Sequence, residues 1–489
     1  MNWMADDREF DRLLEEELSA LPLPDAAVEE ITPWKRAMTR IVWGVGLTTC
    51  TLNFWYLNYL LPAVGVVLLL LGFRTLRKEN RWFAFCWAAA AVDAAAFFLL
   101  RVKDATLWSG TNVPFGEALA LLQLAQSFCL WQGIKAVRRA AGQEDRAGAA
   151  AALLVFQTVL TALGLMSGWA LQLQGLIFVV PILILYICIM RSLARLPALL
   201  DGAGYQVRAA RVRLSDRVVW ITWAAALALC IPLAGALFCR YPMEWAPVPD
   251  NEQAGLEEIR DNLLALGMPE QVVDDLAPED LAALEGALSV TTQVDVVSFR
   301  DVRELRTSDI AVELPDGHWR IIHHFLWQGD PGPRTTECIK LWPTTQEQLE
   351  GGWRQEGGLT GRLLYDWEGT TYTGDYYSIS TVNYTSQSIF WGQTENTDPF
   401  ALFSLPRRGD NCRGYLTYGA EMVEEGWLLS SWSNYTHQVS WLNYPAMTAQ
   451  EYDMSGMLNG FGAFETSQSA IQFRPREEKG TYQEHRFVD

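Results

Sequence analysis

The chain has 489 residues, carries a formal net charge of −19, and half of its residues are hydrophobic. Residues 1–240 contain 22 Lys and Arg against 18 Asp and Glu, whereas residues 241–489 contain 16 against 39. Because an acidic surface repels phosphate groups and anionic lipid, the second half is not expected to bind nucleic acid. Its expected partners are cations, basic proteins and neutral polymers.

Residues 1–38 are predicted to form a cytoplasmic amphipathic segment. Apolar residues at helical spacing accompany an acidic face in residues 6–31, and the break LPLPD interrupts them. No cleavable signal peptide is expected, because the start is acidic and no apolar core occurs in the first 30 positions. Two readings stay open for this segment: a solvated helix near the membrane, or a helix that binds a cytoplasmic partner.

The pattern FDxLLxxxL followed by LPLPD resembles the short cytoplasmic segments of membrane-bound anti-sigma factors. The resemblance covers under a tenth of the chain, and it implies a cytoplasmic regulatory protein that binds residues 6–31. The zinc-binding form of that family is not implied, because the segment has neither His nor Cys. The run LNFWYLNYLLPAVGVVLLLLGFRTLRKEN is similar to uncharacterised polytopic bacterial membrane proteins, which implies a membrane setting and no activity.

The stretch from Ile41 to Phe73 contains no charged residue over 33 positions. As one helix it would be about 50 Å long, whereas the hydrocarbon core of a bilayer is about 30 Å thick. The stretch therefore predicts either one steeply tilted span or a hairpin of two short spans. We favour the hairpin, because residues 53–58 resemble an interfacial tip and Pro62 disfavours an unbroken helix.

Residues 39–240 are predicted to form a transmembrane domain of seven spans. The predicted spans lie near 39–55, 58–74, 82–100, 115–136, 148–167, 174–192 and 217–239. With the hairpin counted as two spans, the basic connecting segments all fall on one side, as the positive-inside rule requires. The N-terminus is therefore expected in the cytoplasm, and the second half of the chain outside the cell membrane.

Two acidic residues lie within the predicted spans, Asp93 in the third and Glu117 near the start of the fourth. Because an unpaired charge in a bilayer costs several kcal/mol, such residues are functional candidates. A proton or ion relay would use both acids. The alternative is that Asp93 only bonds a neighbouring helix, with the alanines around it allowing close helix packing.

No catalytic motif is visible in the transmembrane domain. HExxH and GxSxG are absent, and all five His residues follow residue 317. No nucleophile with its base, no metal cluster and no phosphate-binding loop is identifiable. We therefore expect a protein that is not an enzyme and that needs no cofactor.

The second half of the chain is predicted to form two outer domains. Residues 241–290 contain short apolar stripes bounded by Gly and Pro, which predict an extracytoplasmic helical unit. Residues 291–489 alternate aromatic or β-branched residues with polar ones between turn residues. This pattern predicts an extracytoplasmic, antiparallel β-rich domain that is sandwich-like.

Aromatic residues are dense in the predicted β-rich domain. Trp427, Trp432, Tyr435 and Trp441 are the candidate ligand-binding residues, because aromatic rings on one sheet face stack on sugars or hold an apolar peptide. The alternative is that the same rings fill the core between two sheets. An envelope glycan or a peptide is the expected ligand.

Cys338 and Cys412 are the cysteines that lie clearly beyond the membrane, and one disulfide is expected between them. No metal site is expected at His318, His323 and His324, because adjacent residues on a strand point to opposite faces. Together the patterns predict a sensor, regulator or envelope-binding membrane protein. The alternative function is a transporter or channel subunit that uses the intramembrane acids.

Overall fold

The computed structural model describes twelve parts of the chain, and residues 6–31, the predicted partner-binding segment, lie outside them. The described residues are 32–49, 56–109, 111, 115–143, 147–166, 176–201, 208–210, 214–300, 303–344, 352–388, 392–455 and 462–475. The chain divides into two compact units. The helical unit comprises Met1–Arg101 and Asn112–Leu229, and the β-rich unit comprises Val102–Thr111 and Cys230–Asp489.

A long helix lies in each of the seven predicted spans. These helices are α1 (Pro33–Thr49), α2 (Leu57–Leu76), α3 (Arg81–Lys103), α4 (Phe115–Ala140), α5 (Gly148–Met166), α6 (Leu176–Asp201) and α7 (Asp216–Phe238). Among the described residues, four segments are long and apolar enough to cross a membrane: Leu57–Leu76, Arg81–Lys103, Val180–Ala198 and Asp216–Phe238. These four helices indicate a membrane protein. The predicted seven crossings and their orientation stay predictions.

The apolar stretch from Ile41 to Phe73 forms parts of two helices, α1 and α2, rather than one tilted helix. The two helices approach closely at glycines. A Cβ atom at Gly44 would lie 2.9 Å from the carbonyl oxygen of Gly65, and one at Gly65 would lie 2.9 Å from the carbonyl oxygen of Gly44. Only glycine allows this approach, which is a common way for membrane helices to pack.

The β-rich unit contains two antiparallel sheets. One has seven strands in the order β1 (Ala246–Pro247), β7 (Thr370–Gly374), β6 (Trp353–Trp367), β10 (Asp410–Met422), β4 (His318–Trp327), β3 (Arg303–Glu313) and β2 (Ser289–Phe299). The other has five, in the order β12 (Phe464–Phe473), β11 (Leu429–Gln438), β5 (Glu337–Trp342), β9 (Gly392–Phe403) and β8 (Ser378–Ser388). This architecture agrees with the predicted sandwich-like domain.

Aromatic residues from both sheets meet in one buried cluster. Phe325 of β4 lies 5.6 Å from the ring of Phe403 of β9 and 5.0 Å from the ring of Tyr435 of β11. Because successive strand residues point to opposite faces, alternating sequences supply these rings to the space between the sheets. Much of the aromatic density of this region is therefore core.

Three short helices cover part of the seven-stranded sheet, and we call them the three-helix cap. They are α8 (Glu257–Ala265), α9 (Glu270–Asp275) and α10 (Pro278–Ala282). Leu263, Val273 and Leu281 of the cap share a buried cluster with Ile322 and Tyr415 of the sheet. The predicted domains 241–290 and 291–489 thus belong to one compact unit, because the helices bury their apolar stripes on the sheet.

A buried ionic cluster fixes the three-helix cap on the sheet. Asp275, at the end of α9, accepts a hydrogen bond from Arg413 Nε over 2.7 Å, and its other oxygen lies 2.9 Å from His324 Nε2. Arg362 donates to the main-chain oxygens of Asp275 and Leu276 over 2.9 and 3.0 Å. The cap is therefore held by charge as well as by apolar packing.

We predict that Asp275→Ala lowers the free energy of unfolding of the β-rich unit by about 3 kcal/mol, because it removes the carboxylate that buried Arg413 and His324 share and leaves Arg413 with Asp366 as its carboxylate partner. Asp274→Ala is the matched control, because exposed Asp274 pairs with Arg260 at the surface and should change stability by less than about 1 kcal/mol. Urea unfolding of the full chain, followed by tryptophan fluorescence, measures both. Equal midpoints for the two variants would contradict the assigned role of Asp275.

Candidate functional site

The helical unit contains a cavity of about 280 Å³ among α1 to α5. Its polar lining is a carboxyl, three amides and four hydroxyls, from Asp93, Gln123, Gln126, Gln157, Ser127, Thr48, Thr49 and Thr161. Leucine, valine and phenylalanine side chains complete the wall. A volume near 300 Å³ is at the small end of ligand sites.

Asp93 is the one acidic residue that lines this cavity. It lies in the middle of α3 among alanines, and only 8% of its surface is exposed. Gln123 Nε2 donates to Asp93 Oδ1 over 3.5 Å, which is a weak hydrogen bond. No basic side chain among the described residues forms an ion pair with Asp93. Since a buried carboxylate without a counter-charge is costly, this arrangement calls for a proton or a cation.

Hydrogen bonds around the cavity join α3, α4 and α5. Gln126 Nε2 donates to the carbonyl oxygen of Cys86 over 3.3 Å, and Cys86 Sγ donates back to the Gln126 carbonyl oxygen over 3.4 Å. Ser127 Oγ donates to Gln157 Oε1. Within the described residues, no donor reaches the amide oxygens of Gln123 and Gln126. These two oxygens and the Asp93 carboxyl are the acceptors that a ligand would use.

The structure does not bring Glu117, the second predicted acid, into this cavity. Glu117 is exposed in the first turn of α4, six positions before Gln123. That separation is about 9 Å along a helix. Gln123 therefore occupies the place beside Asp93 that the relay hypothesis gave to Glu117.

The four candidate aromatic residues of the β-rich unit do not form one surface. Tyr435 is in the core between the sheets, and Trp432 is half-buried within β11. Trp427 precedes β11 and is 42% exposed, whereas Trp441 follows β11 and is 84% exposed. Because the ten residues of β11 span about 30 Å, Trp427 and Trp441 lie at opposite ends of the strand.

The structure brings together a serine, a histidine and an aspartate that the sequence analysis missed. His323 Nε2 lies 2.8 Å from Ser431 Oγ, and His323 Nδ1 lies 2.6 Å from Asp309 Oδ1. This is the connectivity of a hydrolase triad. All three residues are buried, however, and Ser431 has 0% exposed surface, so no substrate reaches it in this structure. The chain of hydrogen bonds lies between the sheets, and Asp309 Oδ2 has no hydrogen-bond partner among the described residues.

A second histidine, His437, pairs with Glu337 in the core. His437 Nδ1 lies 2.9 Å from Glu337 Oε1, and His437 Nε2 lies 2.8 Å from the carbonyl oxygen of Pro331. Because a carbonyl oxygen only accepts hydrogen bonds, Nε2 carries a proton. The hydrogen bond between Nδ1 and the Glu337 carboxyl contains a second proton, which is on one of these two groups. Burial raises the pKa of Glu337, and His437 opposes that rise. Among the described residues, no group of three or more His, Cys, Asp or Glu is arranged to hold a metal ion.

Cys338 and Cys412 are both buried free thiols, and the predicted disulfide between them is not formed in this structure. Cys338 is on β5 of the five-stranded sheet and Cys412 on β10 of the seven-stranded sheet. Each thiol packs in a different apolar cluster. They behave as small core residues, which is the usual role of free cysteine.

We predict that neither thiol reacts with a maleimide while the chain is folded. Burial raises the pKa of Cys412 to about 12 and that of Cys338 well above its usual value, so the reactive thiolate is scarce at neutral pH. Peptide mass spectrometry after alkylation in buffer and in urea checks this. Labelling only in urea is expected, and a disulfide-linked peptide recovered without reduction would contradict it.

No protein-family model matches the sequence, and no curated protein matches it. Among solved structures, the chain is similar to the KRT10-binding region domain of the pneumococcal serine-rich repeat protein PsrP. The two are 8% identical, and the alignment covers 37% of this chain and 97% of that one with a TM-score of 0.17. A TM-score this low supports no conclusion about fold or function.

Proposed function

We propose that the chain is a multi-pass protein of the cell membrane that binds a small monovalent cation in the cavity of its helical unit. The observation that carries this proposal is the buried Asp93 carboxyl, which has no basic partner among the described residues. A proton neutralises the carboxyl when the cavity holds no cation. The protein acts by binding rather than by catalysis, and it needs no cofactor.

The chemistry of the cavity favours a cation over an anion or an apolar ligand. Carboxylate, amide and hydroxyl oxygens are the groups that bind hard cations and ammonium ions in proteins. Asp93, Gln123 and Gln126 supply these oxygens from two helices. A volume of about 280 Å³ exceeds that of a bare metal ion. The ligand is therefore an ion that keeps some of its water, or a small organic ammonium.

The proposal includes an orientation in the membrane. Seven crossings with the N-terminus in the cytoplasm put the clusters of basic residues on the cytoplasmic side. The β-rich unit is then extracytoplasmic. With this orientation, a cation bound at Asp93 is within the membrane, which suits either a transporter or a receptor that responds to the ion.

The test uses the full chain in lipid nanodiscs and three probes, which are sodium, potassium and methylammonium. At least one probe should raise the thermal midpoint of the wild-type chain, since a ligand at 100 times its Kd stabilises by about 2.7 kcal/mol. Asp93→Asn should remove the response by deleting the negative charge. Glu117→Gln is the matched control and should keep it, because Glu117 does not line the cavity.

Two outcomes would contradict the cation proposal. In one, Asp93→Asn responds to the probes as the wild-type chain does. In the other, none of the three probes stabilises the wild-type chain. Flux of the stabilising probe in proteoliposomes then distinguishes a transporter from a receptor. A transporter moves the probe in its wild-type form and not as Asp93→Asn, whereas a receptor moves it in neither form.

A second candidate is an envelope-binding protein or sensor, and a feature of the β-rich unit favours it. The connection between β10 and β11 exposes Val423, Trp427 and Leu428 together. Exposed apolar groups that are close together are typical of a binding surface. An envelope glycan or peptide is the proposed ligand of this tip. A cytoplasmic regulatory protein at residues 6–31 would complete a sensor.

We predict that Trp427→Ala weakens binding of the full chain to soluble peptidoglycan fragments about tenfold, or about 1.4 kcal/mol, if the tip holds the ligand. Trp367→Ala is the control, because Trp367 has a similar exposed fraction and lies elsewhere, at the end of β6. Calorimetric titration measures the dissociation constants. Equal losses in both variants, or no binding by the wild-type chain, would exclude the tip as this site.

A further inference from the structure

We infer that the loop of residues 439–448, which we call the Trp441 loop, inserts Trp441 and Leu442 into the headgroup region of the bilayer that holds the chain's own spans. The inference concerns a different surface from the Asp93 cavity and does not depend on it. It assigns Trp441 to lipid rather than to a soluble ligand.

The first observation is that the Trp441 loop is bonded to the residues that follow α3. The Ala446 main-chain nitrogen donates to the carbonyl oxygen of Asp104 over 2.6 Å, and Ser109 Oγ donates to the carbonyl oxygen of Ala446. Asp104 directly follows Lys103, the last residue of α3, which is long and apolar enough to cross a membrane. The loop therefore lies where the chain leaves the bilayer.

The second observation is that the end of α7 lies at the same place. The Leu107 main-chain nitrogen donates to the carbonyl oxygen of Phe238 over 3.1 Å, and the rings of Trp108 and Phe238 are 6.1 Å apart. Phe238 is the last residue of α7, another candidate span. The ends of two candidate spans thus meet beside the Trp441 loop within the β-rich unit.

The exposed side chains at this place suit a membrane interface. Trp441 is 84% exposed, and Trp108, Phe238 and Leu442 are exposed as well. Tryptophan is enriched at headgroup level, because its ring is apolar and its N–H group bonds water or lipid oxygens. In water, the exposure of four large apolar side chains on one loop and on the span ends to which that loop is bonded would be unfavourable. In the headgroup region the same side chains are removed from water, which favours contact between the Trp441 loop and the bilayer.

The charge at this end also fits lipid, although the second half of the chain is acidic. Arg407 and Arg408 are exposed, and Arg407 Nη2 lies 3.5 Å from the carbonyl oxygen of Ala236, in the last turn of α7. Basic residues near a bilayer are attracted to anionic headgroups.

The experiment labels the tryptophans of the full chain with 5-fluorotryptophan in nanodiscs of zwitterionic and anionic lipid. Trp441→Phe and Trp427→Phe assign the two fluorine signals, and both variants keep an aromatic ring. Lipid spin-labelled near the headgroup and a water-soluble gadolinium chelate are added separately. We expect the lipid label to broaden the Trp441 signal at least threefold more than the Trp427 signal, and the chelate to do the reverse.

Trp427 is the matched control because it lies at the other end of β11, a strand about 30 Å long. The inference is overturned if the chelate broadens both signals equally and the lipid label broadens neither. Trp108→Phe assigns a third fluorine signal, that of Trp108, whose broadening is measured in the same way. If the lipid label broadens the Trp108 signal but not the Trp441 signal, the membrane contact is confined to residues 104–109, and the role of the Trp441 loop is rejected.

Discussion

A buried carboxyl group needs either a counter-charge or a proton, and this requirement applies in both units of the chain. In the β-rich unit, four buried carboxylates have basic partners: Asp275 with Arg413 and His324, Asp309 with His323, Glu337 with His437, and Asp453 with Lys340. These pairs join the three-helix cap to one sheet, strands to neighbouring strands, and the helix Ala449–Ser455 to β5. A fifth buried carboxylate, Asp398, accepts a hydrogen bond from the Tyr384 hydroxyl. Asp93 of the helical unit has an amide for its neighbour instead. The missing counter-charge is what a bound cation or a proton would supply.

The two kinds of carboxyl imply different roles for the two units. Removing a partner from a closed ion pair destabilises the fold, and no ligand is required. The Asp93 carboxyl instead lies at the wall of a cavity, with amide oxygens nearby that accept no hydrogen bond from the described residues. The paired carboxylates of the β-rich unit therefore have a structural role. Among the described residues of the helical unit, Asp93 is the buried acid, and a cation or a proton would supply its counter-charge.

The sequence predicted the parts of the fold that follow from local pattern. Ile41–Phe73 is too long for one upright span, and alternating residues after 291 predicted the strands. Partners that are distant in the chain were not predictable, because Asp309, His323 and Ser431 come together only when three strands from two sheets assemble. The aromatic pattern also gave no indication that Trp427 and Trp441 lie at opposite ends of β11. The even cysteine count beyond the membrane suggested a disulfide, but Cys338 and Cys412 lie on different sheets and are free thiols.

The most direct test of the central claim is infrared difference spectroscopy of the full chain in nanodiscs, recorded with and without the stabilising cation. A protonated carboxylic acid has a C=O stretching band that its ionised form lacks. If the cation replaces the proton on Asp93, its addition removes such a band in the wild-type chain, and Asp93→Asn shows no such loss. A band that the cation leaves unchanged, or an equal loss in Asp93→Asn, would contradict the account.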